Sequence, residues 1–368
     1  MSVVTSIEFL SNPIPHLSGF QTRGTVVQER LPIVGNMYFA TSHAACSQIL
    51  KQDDVFTVRQ KTGDVVGLQW WMPRILTSLT ENMLSNDGDK HTRLRQLVDA
   101  SFHRDAIQRL DGMISCVTQN LLDSEFQKNE PFDFLPFCRS LPLEVISEML
   151  GLRAEDKPKF AKWAASVTNV SGGWSLFGAL PSLSALRRFL AAEIERQRKE
   201  GGLGLVATLV ELQDQGADVS NDELVAMVFL LLMAGHETTT HVLAGGMLEL
   251  LRHLEQLESL KAEPETLGLA VEELLRHVSA VQFSKPRYVQ RDVEVDGTGL
   301  KQGSRVMAML VSANFDPKMF EHPDKFDLRR KPNRHLSFGS GPHFCLGLRL
   351  ARAELAAAIS MIFERFPN

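Results

Sequence analysis

The chain has 368 residues, and its 39 basic and 44 acidic side chains give a net charge of −5. Hydrophobic residues make up 44% and charged residues 23% of the composition, which is typical of a globular protein. No basic patch dominates, so a nucleic-acid partner is not expected. The longest apolar run, residues 224–235, is far too short to span a membrane, and the first residues lack a signal-peptide pattern. We therefore expect a cytoplasmic protein without a membrane span.

The first predicted elements are short strands and a helix in residues 25–60, where β-branched residues flank a turn at Gly35 and Asn36. From about residue 90 to residue 278 the apolar residues recur with a period near 3.6, which predicts helices. One of these helices is expected to end at Gly201 and Gly202, because glycine favours the position after a helix C-terminus.

The longest predicted helix starts at a capping box formed by Ser220 and Glu223 and extends to about residue 253. It is apolar on nearly all sides, which indicates a helix that crosses the middle of the protein. A shorter helix, strand-like segments between residues 286 and 313, a loop-rich stretch to residue 342 and a last helix after Cys345 follow. No repeat, linker or domain boundary is visible, so the sequence predicts one mostly helical domain with small β-sheets.

Four cysteines occupy positions 46, 116, 138 and 345, and none forms a CxxC pair. A zinc site, a cysteine-ligated iron–sulfur cluster and a disulfide framework are therefore not expected. Cys46, Cys116 and Cys138 are interpreted as small buried apolar side chains. Cys345 differs, because it lies in the glycine-rich stretch FGSGPHFCLG, directly before an alanine-rich helix.

The stretch around Cys345 resembles a dinucleotide-binding fingerprint only superficially, because its sixth position is Phe344 and no strand of a βαβ unit precedes it. A nucleophilic cysteine needs a histidine base, and His343 is close in sequence, but glycine and phenylalanine neighbours leave poor access for a substrate. A thiolate metal ligand fits better. A helix N-terminus lowers the pKa of a thiol, and a glycine-rich approach lets backbone N–H groups turn toward the sulfur.

Three further motifs each allow a structural and a functional interpretation. The segment AGHETTT puts polar residues in an apolar helix, where threonine hydroxyls can bond back to i−4 carbonyls, or where a local distortion can open a polar pocket for an acid and an alcohol. Glu273 and Arg276 are three residues apart, which on spacing alone favours a solvated pair. His91 and Arg95 share one helix face, which suits either an anion or an ordinary surface.

Taken together, the motifs resemble those of the cytochrome P-450 family, the haem-thiolate monooxygenases. The haem-binding loop of the family, FGxGxHxCxG, matches Phe338, Gly339, Gly341, His343, Cys345 and Gly347. The oxygen-activating motif (A/G)Gx(D/E)T matches Ala234, Gly235, Glu237 and Thr238. The ExxR motif matches Glu273 and Arg276, HxxxR matches His91 and Arg95, and a propionate-binding arginine matches Arg287. The resemblance covers the chain from about residue 30 to its end.

This resemblance implies a fold that is mainly α with small β-sheets (α+β) in a single domain over residues 1–368. Haem b is expected between the long central helix and the helix after the cysteine loop, with Cys345 as the axial ligand of the iron. Four cationic side chains would bind the haem propionates: His91, Arg95, Arg287 and His343. Glu237 and Thr238 would deliver protons during oxygen activation. Glu273 and Arg276 would tie their helix to the meander and take no part in catalysis.

Two features depart from the family pattern. Phe315 stands where arginine is common, which removes one expected ion pair near the meander. The chain stops at FERFPN, where bacterial relatives usually continue into a strand hairpin whose turn reaches the substrate pocket. We therefore expect the C-terminal hairpin to be missing.

The implied activity is insertion of one oxygen atom from O₂ into an organic substrate, by hydroxylation or epoxidation. Electrons would come from NAD(P)H through a reductase and a separate ferredoxin or flavodoxin, because neither module is present in the 368 residues. One alternative is a peroxide-driven peroxygenase, although that branch usually lacks the pair formed here by Glu237 and Thr238. A second alternative is a haem-binding ligand sensor without turnover.

The segments that would line the substrate pocket are rich in apolar side chains, so we expect an apolar, fairly bulky substrate held mainly by burial. Arg74 could add a contact to a carboxylate. A basic cluster before the cysteine loop would offer a docking face to an acidic ferredoxin, with Arg330 partly structural. The cluster is Arg329, Arg330, Lys331 and Arg334. The pocket candidates are Trp70, Trp71, Met72, Ile75, Leu76, Trp174, Phe177, Val281 and Phe283.

Overall fold

The computed structural model describes residues 3–31, 34–60, 78–79, 81–101, 104–126, 132–153, 155–168 and 173–366. In chain order its helices are α1 (Ile7–Ser11), α2 (Ile14–Arg23), α3 (His43–Lys51), α4 (Gly88–Ser101), α5 (Arg104–Glu125), α6 (Leu135–Leu150), α7 (Lys157–Thr168), α8 (Gly173–Glu200), α9 (Leu205–Asp214), α10 (Asn221–Arg252), α11 (Leu254–Ala262), α12 (Leu267–Val278), α13 (Leu310–Asn314) and α14 (Leu348–Arg365). The strands are β1 (Val26–Leu31), β2 (Gly35–Ala40), β3 (Phe56–Thr57), β4 (Arg287–Val289), β5 (Val293–Val295), β6 (Thr298–Leu300) and β7 (Arg305–Ala308).

The chain divides into two compact units. The first consists of Met1–Gln69 and Gly245–Leu348, and the second of Trp70–Ala244 and Arg349–Asn368. The first unit holds all of the strands named above, and the second is built from helices. The single domain over residues 1–368 stays a prediction.

The main sheet of the first unit has the strand order β1-β2-β7-β4-β3. Strands β1 and β2 pair antiparallel, with Leu31 opposite Gly35 and Arg30 opposite Asn36. Gly35 and Asn36 therefore belong to β2, and the turn predicted at these two residues is wrong, since the chain reverses between Leu31 and Gly35. Strand β7 runs parallel to β2 and antiparallel to β4.

A second, two-stranded sheet is formed by β5 and β6. Asp296 and Gly297 connect its strands with φ angles of 44° and 82°. Two successive residues at positive φ make the tight turn that an antiparallel hairpin prefers, and Asp-Gly is a common sequence for it. The strand-like segment predicted to reach residue 313 ends earlier, because Leu310–Asn314 is helical: Ala313 N–H donates to the carbonyl of Met309 at 3.0 Å.

Two apolar clusters fill the first unit. Helix α3 packs against the sheet through Cys46 and Ile49, which lie with Val289 and Val306 in one buried cluster. The other cluster joins α1 and α2 to β2. Its largest members are Phe9, Phe20, Phe39 and Phe315.

In the second unit, α5 packs on α6, α7 on α8, and α8 on α9. Helix α8 ends at Glu200, and Gly201 follows at a φ of 71°, as predicted. The capping box of α10 is also confirmed: Ser220 N–H donates to the Glu223 carboxylate at 2.9 Å, and Glu223 N–H donates to the Ser220 hydroxyl at 3.2 Å. Among the described residues α10 alone is long and apolar enough to cross a membrane, but 56% of its most apolar window is buried, as in the core helix of a folded protein.

Candidate active site

The thiol of Cys345 is carried by a closed loop three residues before α14. Cys345 N–H donates to the carbonyl of Phe338 at 2.9 Å, so the two ends of the stretch FGSGPHFC are hydrogen-bonded to each other. A second bond, from Gly339 N–H to the carbonyl of Leu336 at 2.8 Å, joins the loop to the residues that precede it. Because the backbone is fixed on both sides, the position of the thiol is set by the loop.

Gly341 gives this loop its tightest contact. It has a φ of +72°, and a Cβ atom there would lie 2.3 Å from the Leu50 carbonyl oxygen and 2.9 Å from the Cα of Lys51. The loop therefore passes directly over the C-terminal end of α3, which no residue with a side chain could do. Gly339 also has a positive φ, of +70°, whereas a Cβ at Gly347 would meet no atom within 4 Å.

Two of the four predicted propionate-binding cations lie in the same unit as Cys345. Arg287 is the first residue of β4 and is buried, and its Nη1 donates to the carbonyls of Ile49 at 3.3 Å and Phe56 at 3.1 Å. His343 ends the short 3₁₀ turn Gly341–His343. The C-terminal part of α3 thus contacts both the Arg287 guanidinium and the cysteine loop.

Glu273 and Arg276 are both completely buried, so the solvated pair favoured by spacing is wrong. Arg276 donates to both carboxylate oxygens of Glu273 at 2.8 Å and to the carbonyls of Asn314 and Pro323 at 2.8 Å. Arg330 also donates to the Glu273 carboxylate, at 3.2 Å to each oxygen. The pair ties α12 to residues 314–330, which is the structural role that the resemblance implied.

Phe315, which stands where the family commonly has arginine, contacts Arg276 and His277 through its ring. Its ring centroid is 5.0 Å from the guanidinium carbon of Arg276 and 5.4 Å from the His277 ring. A cation over an aromatic face is attracted by the ring quadrupole, so the aromatic contact stabilises the buried guanidinium. Burial, together with the adjacent Arg276, lowers the pKa of His277 to about 4.

In the second unit, the AGHETTT segment lies within α10, which continues through it without a break. The Thr238 hydroxyl donates to the Ala234 carbonyl at 2.9 Å, and the Thr240 hydroxyl donates to the His236 carbonyl at 2.8 Å. These bonds agree with the structural interpretation of the threonines, and the local distortion considered from sequence stays a prediction. A Cβ at Gly235 would lie 3.3 Å from Cδ1 of Ile146, so glycine here allows α6 to approach closely.

His91 and Arg95 lie one turn apart on α4. His91 is buried, which excludes the plain surface face considered from sequence. Arg95 is partly exposed and forms an ion pair with Asp99 at 3.6 Å.

The predicted site residues fall into two groups. One group lies in the first unit: Arg287, Phe338, Gly339, Gly341, His343, Cys345 and Gly347. The other lies in the second unit: His91, Arg95, Ala234, Gly235, Glu237 and Thr238.

Comparison with known proteins identifies the family. The family model for cytochrome P-450 matches residues 183–367. The polyketide biosynthesis cytochrome P-450 PksS of Bacillus subtilis is 34% identical over 98% of this chain and 90% of its own length. A solved structure of PksS superimposes with a TM-score of 0.89, covering 100% of this chain and 92% of PksS. The chain is a cytochrome P-450.

Other members of the family are nearly as similar. The steroid C26-monooxygenase of Mycobacterium tuberculosis is 36% identical over 78% of both chains. The structure of cytochrome P-450 BioI, in complex with a hexadec-9Z-enoic acid ligated acyl carrier protein, gives a TM-score of 0.89 at 29% identity, over 99% of this chain and 94% of BioI. The protein is thus a monooxygenase of the cytochrome P-450 family with the fold of that family, and its cofactor is haem b, held in these enzymes by a cysteine thiolate.

The residues of this cytochrome P-450 fit such a cofactor. No cluster of three histidine, cysteine or acidic side chains that could hold a bare metal ion occurs in the described part of the chain. A single half-buried thiol can therefore act as a metal ligand only if the remaining ligands come with the metal, as they do in haem. The cysteine loop and the cationic Arg287 provide the two kinds of group that haem needs, a soft ligand and a partner for carboxylates.

One further sequence prediction is wrong: Cys116 is exposed and not buried, because it lies on a solvent-facing side of α5. Phe283 is partly buried and packs against Phe9 and Phe39 at centroid distances of 5.9 and 5.7 Å. Val281 is exposed, and a pocket role for either residue stays a prediction.

Arg74 and five of the apolar pocket candidates lie outside the described residues: Trp70, Trp71, Met72, Ile75 and Leu76. The side chains of Trp174 and Phe177 also lie outside the described part of the structure.

Sequence reasoning missed one unusual residue, Glu354. This carboxyl lies in α14, nine residues after Cys345, and it is 1% exposed. Burial raises its pKa to about 8, and the Thr239 hydroxyl is the contact that opposes this shift. The signal available in the sequence was a single acidic residue in the alanine-rich stretch ARAELAAAI.

Proposed function

We propose that the protein inserts one oxygen atom from O₂ into an apolar organic substrate, with Cys345 as the axial thiolate of its haem. The observation that carries this proposal is the closed loop in which Cys345 N–H bonds to the Phe338 carbonyl at 2.9 Å and Gly341 packs on α3. When bound, a thiolate-ligated haem supplies the reductive activation of O₂. The loop holds the thiol in one position, so ligation needs no rearrangement of the backbone.

The other site residues are assigned to charge and proton handling. Arg287, His343, His91 and Arg95 are proposed to hold the haem propionates, since charge-assisted bonds to carboxylates are among the strongest available to a protein. Glu237 and Thr238 are proposed to supply protons, because they are an acid and an alcohol adjacent in α10. The Thr238 hydroxyl donates to a carbonyl at 2.9 Å and keeps its oxygen lone pairs for a further donor.

The proposed substrate is apolar and fairly bulky, such as a terpenoid, a steroid, an aromatic or a fatty compound. The names of the similar proteins support this class: PksS is named for polyketide biosynthesis, another is a steroid C26-monooxygenase, and BioI is bound to a fatty acid ligated acyl carrier protein. A hydrophobic compound library and a small polar library should be titrated side by side against the haem spectrum. Shifts produced only by small polar or cationic compounds would contradict this substrate class.

Electrons are proposed to come from NAD(P)H through a reductase and a separate ferredoxin or flavodoxin, in the cytoplasm. Incubation with substrate, O₂, NADPH and surrogate redox partners tests this directly. Oxygenated product that requires NADPH supports the monooxygenase. Product formed only with added peroxide would indicate a peroxygenase, and binding without product a ligand sensor.

The axial ligand is tested with Cys345→Ala. In the wild type the carbon monoxide complex of the reduced protein should show the strongly red-shifted Soret band of thiolate haem, and the variant should lose that band. Cys116→Ala is the matched control, since Cys116 is an exposed cysteine on α5 and should keep the band. A red-shifted band that survives in Cys345→Ala would overturn the assignment.

A further inference from the structure

The approach segment, residues 333–337, leads into the cysteine loop and lies in the first unit. Each of its residues is hydrogen-bonded to another part of that unit through its side chain or its backbone. The bonds join Asn333 to Glu273 at 3.1 Å, the Arg334 carbonyl to His43 at 2.9 Å, His335 to Glu272 at 3.1 Å, Leu336 N–H to Asn314 at 2.7 Å, and the Ser337 hydroxyl to the Leu275 carbonyl at 2.7 Å. The cysteine loop therefore follows a fixed stretch of backbone, although the segment is neither helix nor strand.

His335 is the residue of this segment whose two ring nitrogens bind different partners. Its side chain is 3% exposed, with Nε2 3.1 Å from a carboxylate oxygen of Glu272 and Nδ1 3.3 Å from the backbone nitrogen of Ser337. Because an amide N–H can only donate, Nδ1 accepts this bond and carries no proton. The ring proton is then on Nε2, where it is donated to Glu272. The two contacts together select one tautomer of a neutral ring.

A carboxylate bonded to one nitrogen of a histidine orients the ring and makes the other nitrogen a stronger acceptor. Glu272 lies on α12, so it holds the His335 ring from outside the approach segment and strengthens the bond from Ser337 N–H. The residue after Ser337 is Phe338, whose ring centroid is 5.8 Å from that of His335 and whose carbonyl accepts from Cys345 N–H at 2.9 Å. A continuous series of contacts thus connects Glu272 to the backbone of the residue that carries the thiol.

We propose that His335 is a positioning residue for the axial thiolate. Its Nδ1 holds the Ser337 amide and thereby fixes the Phe338 carbonyl that accepts from Cys345 N–H, while Glu272 keeps the ring in the required tautomer. The inference rests on the proposed function in one respect, the assignment of Cys345 as the axial ligand. It differs from a simple attachment of the approach segment to α12, for which only the Nε2 contact with Glu272 would matter.

Two substitutions separate the functions of the two ring nitrogens. Asparagine at position 335 places an amide oxygen near the position of Nδ1 and can still accept from Ser337 N–H, whereas glutamine places an amide nitrogen near the position of Nε2 and can still donate to Glu272. The measurement is the half-life of the red-shifted Soret band in the carbon monoxide complex of the reduced, haem-loaded protein. It is made at a raised temperature at which circular dichroism shows that the fold is intact, so loss of the band reports loss of the thiolate ligand.

His335→Gln should shorten this half-life about 10-fold, the lower end of what removal of a residue that supports a metal ligand costs. His335→Asn should keep the half-life close to that of wild type, because the acceptor for Ser337 N–H is retained. The matched control is His253→Gln, which replaces a histidine of the same unit that bonds to the Glu249 carbonyl at 2.9 Å, and it should leave the half-life unchanged. Equal half-lives in the two His335 variants, or a shorter one in His335→Asn, would overturn the proposal.

Nitrogen-15 NMR on the wild-type protein tests the tautomer without any substitution. In the carbon monoxide complex the ferrous iron is low-spin and diamagnetic, so the histidine rings can be observed. The Nδ1 of His335 should give the signal of an unprotonated ring nitrogen, and its Nε2 the signal of a protonated one. A proton on Nδ1 would overturn the proposal, and this measurement decides the question if the His335 variants do not fold.

Failure of the proposed function would give a different result. A wild-type protein without the red-shifted band, or a band that survives in Cys345→Ala, would contradict the axial ligand itself. A normal wild-type band with equal half-lives in His335→Asn and His335→Gln would contradict only the positioning by Nδ1.

Discussion

Thr238 and Thr240 have the same side chain and nearly the same hydrogen bond, at 2.9 and 2.8 Å to their i−4 carbonyls, yet only Thr238 matches the oxygen-activating motif. Thr238→Ala should keep haem and substrate binding and consume NADPH, but release hydrogen peroxide in place of product. We expect product formation to fall about 10²-fold, at the lower end of what a positioned proton donor contributes. The measurement is the ratio of product to NADPH, and Thr240→Ala serves as the control. Equal coupling in both variants would remove Thr238 from proton delivery.

Glu354 should make the stability of the protein depend on pH. Its pKa is raised by burial from 4.5 to about 8. Below pH 4.5 both folded and unfolded chains keep the proton, so there is no penalty. Between pH 4.5 and 8 only the unfolded chain releases it, so the free energy of unfolding falls by about 1.4 kcal/mol per pH unit. Above pH 8 both states are ionised and the difference stays constant.

The measurement is the thermal midpoint of wild type and Glu354→Gln at a series of pH values. The variant should lack this contribution. The difference between its thermal midpoint and that of wild type should therefore increase as the pH rises from 5 to 8. Parallel curves over this range would show that Glu354 is ionised in the folded protein.

At the scale of single residues, the sequence predicts the role of a residue only where that role depends on residues adjacent in the chain. Cys345 is recognisable because its glycines and the helix after it are adjacent in the chain. Glu354 is not, because ARAELAAAI shows only a helical period and burial depends on what packs against the helix. The same holds for Gly341, whose contact is with Leu50, almost 300 positions earlier.

At the scale of secondary-structure elements, α12 is held to the following loop by one buried guanidinium. Arg276→Lys keeps the charge but loses the two parallel bonds to Glu273 and the bonds to Asn314 and Pro323, because an ammonium group cannot form them together. We expect a loss of about 3 kcal/mol or more in unfolding free energy, as when a buried pair is broken.

The control for Arg276→Lys is Arg291→Lys. Arg291 pairs with Asp54 at 2.9 Å, but both side chains are 64% exposed. Its conservative replacement should change the unfolding free energy by less than about 0.5 kcal/mol. Denaturant titration measures the unfolding free energy of both variants. Equal losses would show that the buried Arg276 pair stabilises the protein no more than the exposed Arg291 pair.

The burial of Glu273 and Arg276 is a feature that local sequence does not predict. Helix α12 and its end are predicted by periodicity, but the spacing of Glu273 and Arg276 suits a surface as well as a core. The Arg276 guanidinium is buried because it binds carbonyls 38 to 49 positions further along the chain, at the end of α13 and in the loop after it. No local pattern encodes them, and only the resemblance to a family pointed to the buried arrangement.

At the scale of the whole molecule, composition and periodicity predict a mainly helical protein with small sheets, but not the strand order β1-β2-β7-β4-β3. Strand β2 pairs with β7 across more than 260 residues, and β3 pairs with β4 across more than 230. Such pairings depend on long-range packing, which a window of neighbouring residues does not contain.

Only some of the basic residues before the cysteine loop are available to bind an electron-transfer partner. Of the four basic residues predicted there, Arg330 is buried on Glu273 and Arg329 pairs with Glu263 at 2.7 Å. Lys331 and Arg334 are exposed. The carbonyl of Arg334 accepts a bond from His43 at the start of α3, and Gly341 packs over the other end of this helix. Nine helical residues span about 13 Å, so the backbone of Arg334 lies on the order of 13 Å from the part of the loop that packs on α3.

We therefore expect an acidic ferredoxin to meet Lys331 and Arg334. Replacing both with glutamate changes the net charge by −4, and the rate of the first electron transfer should fall on the order of 10-fold at low salt. The double variant Arg153→Glu, Lys159→Glu is the control, since it changes the charge equally at two exposed positions of the second unit. Stopped-flow reduction at increasing ionic strength separates local docking from overall charge: screening should shrink the difference between the two double variants as the Debye length falls below about 10 Å. Equal slowing in both would mean that the partner responds to net charge and not to this face.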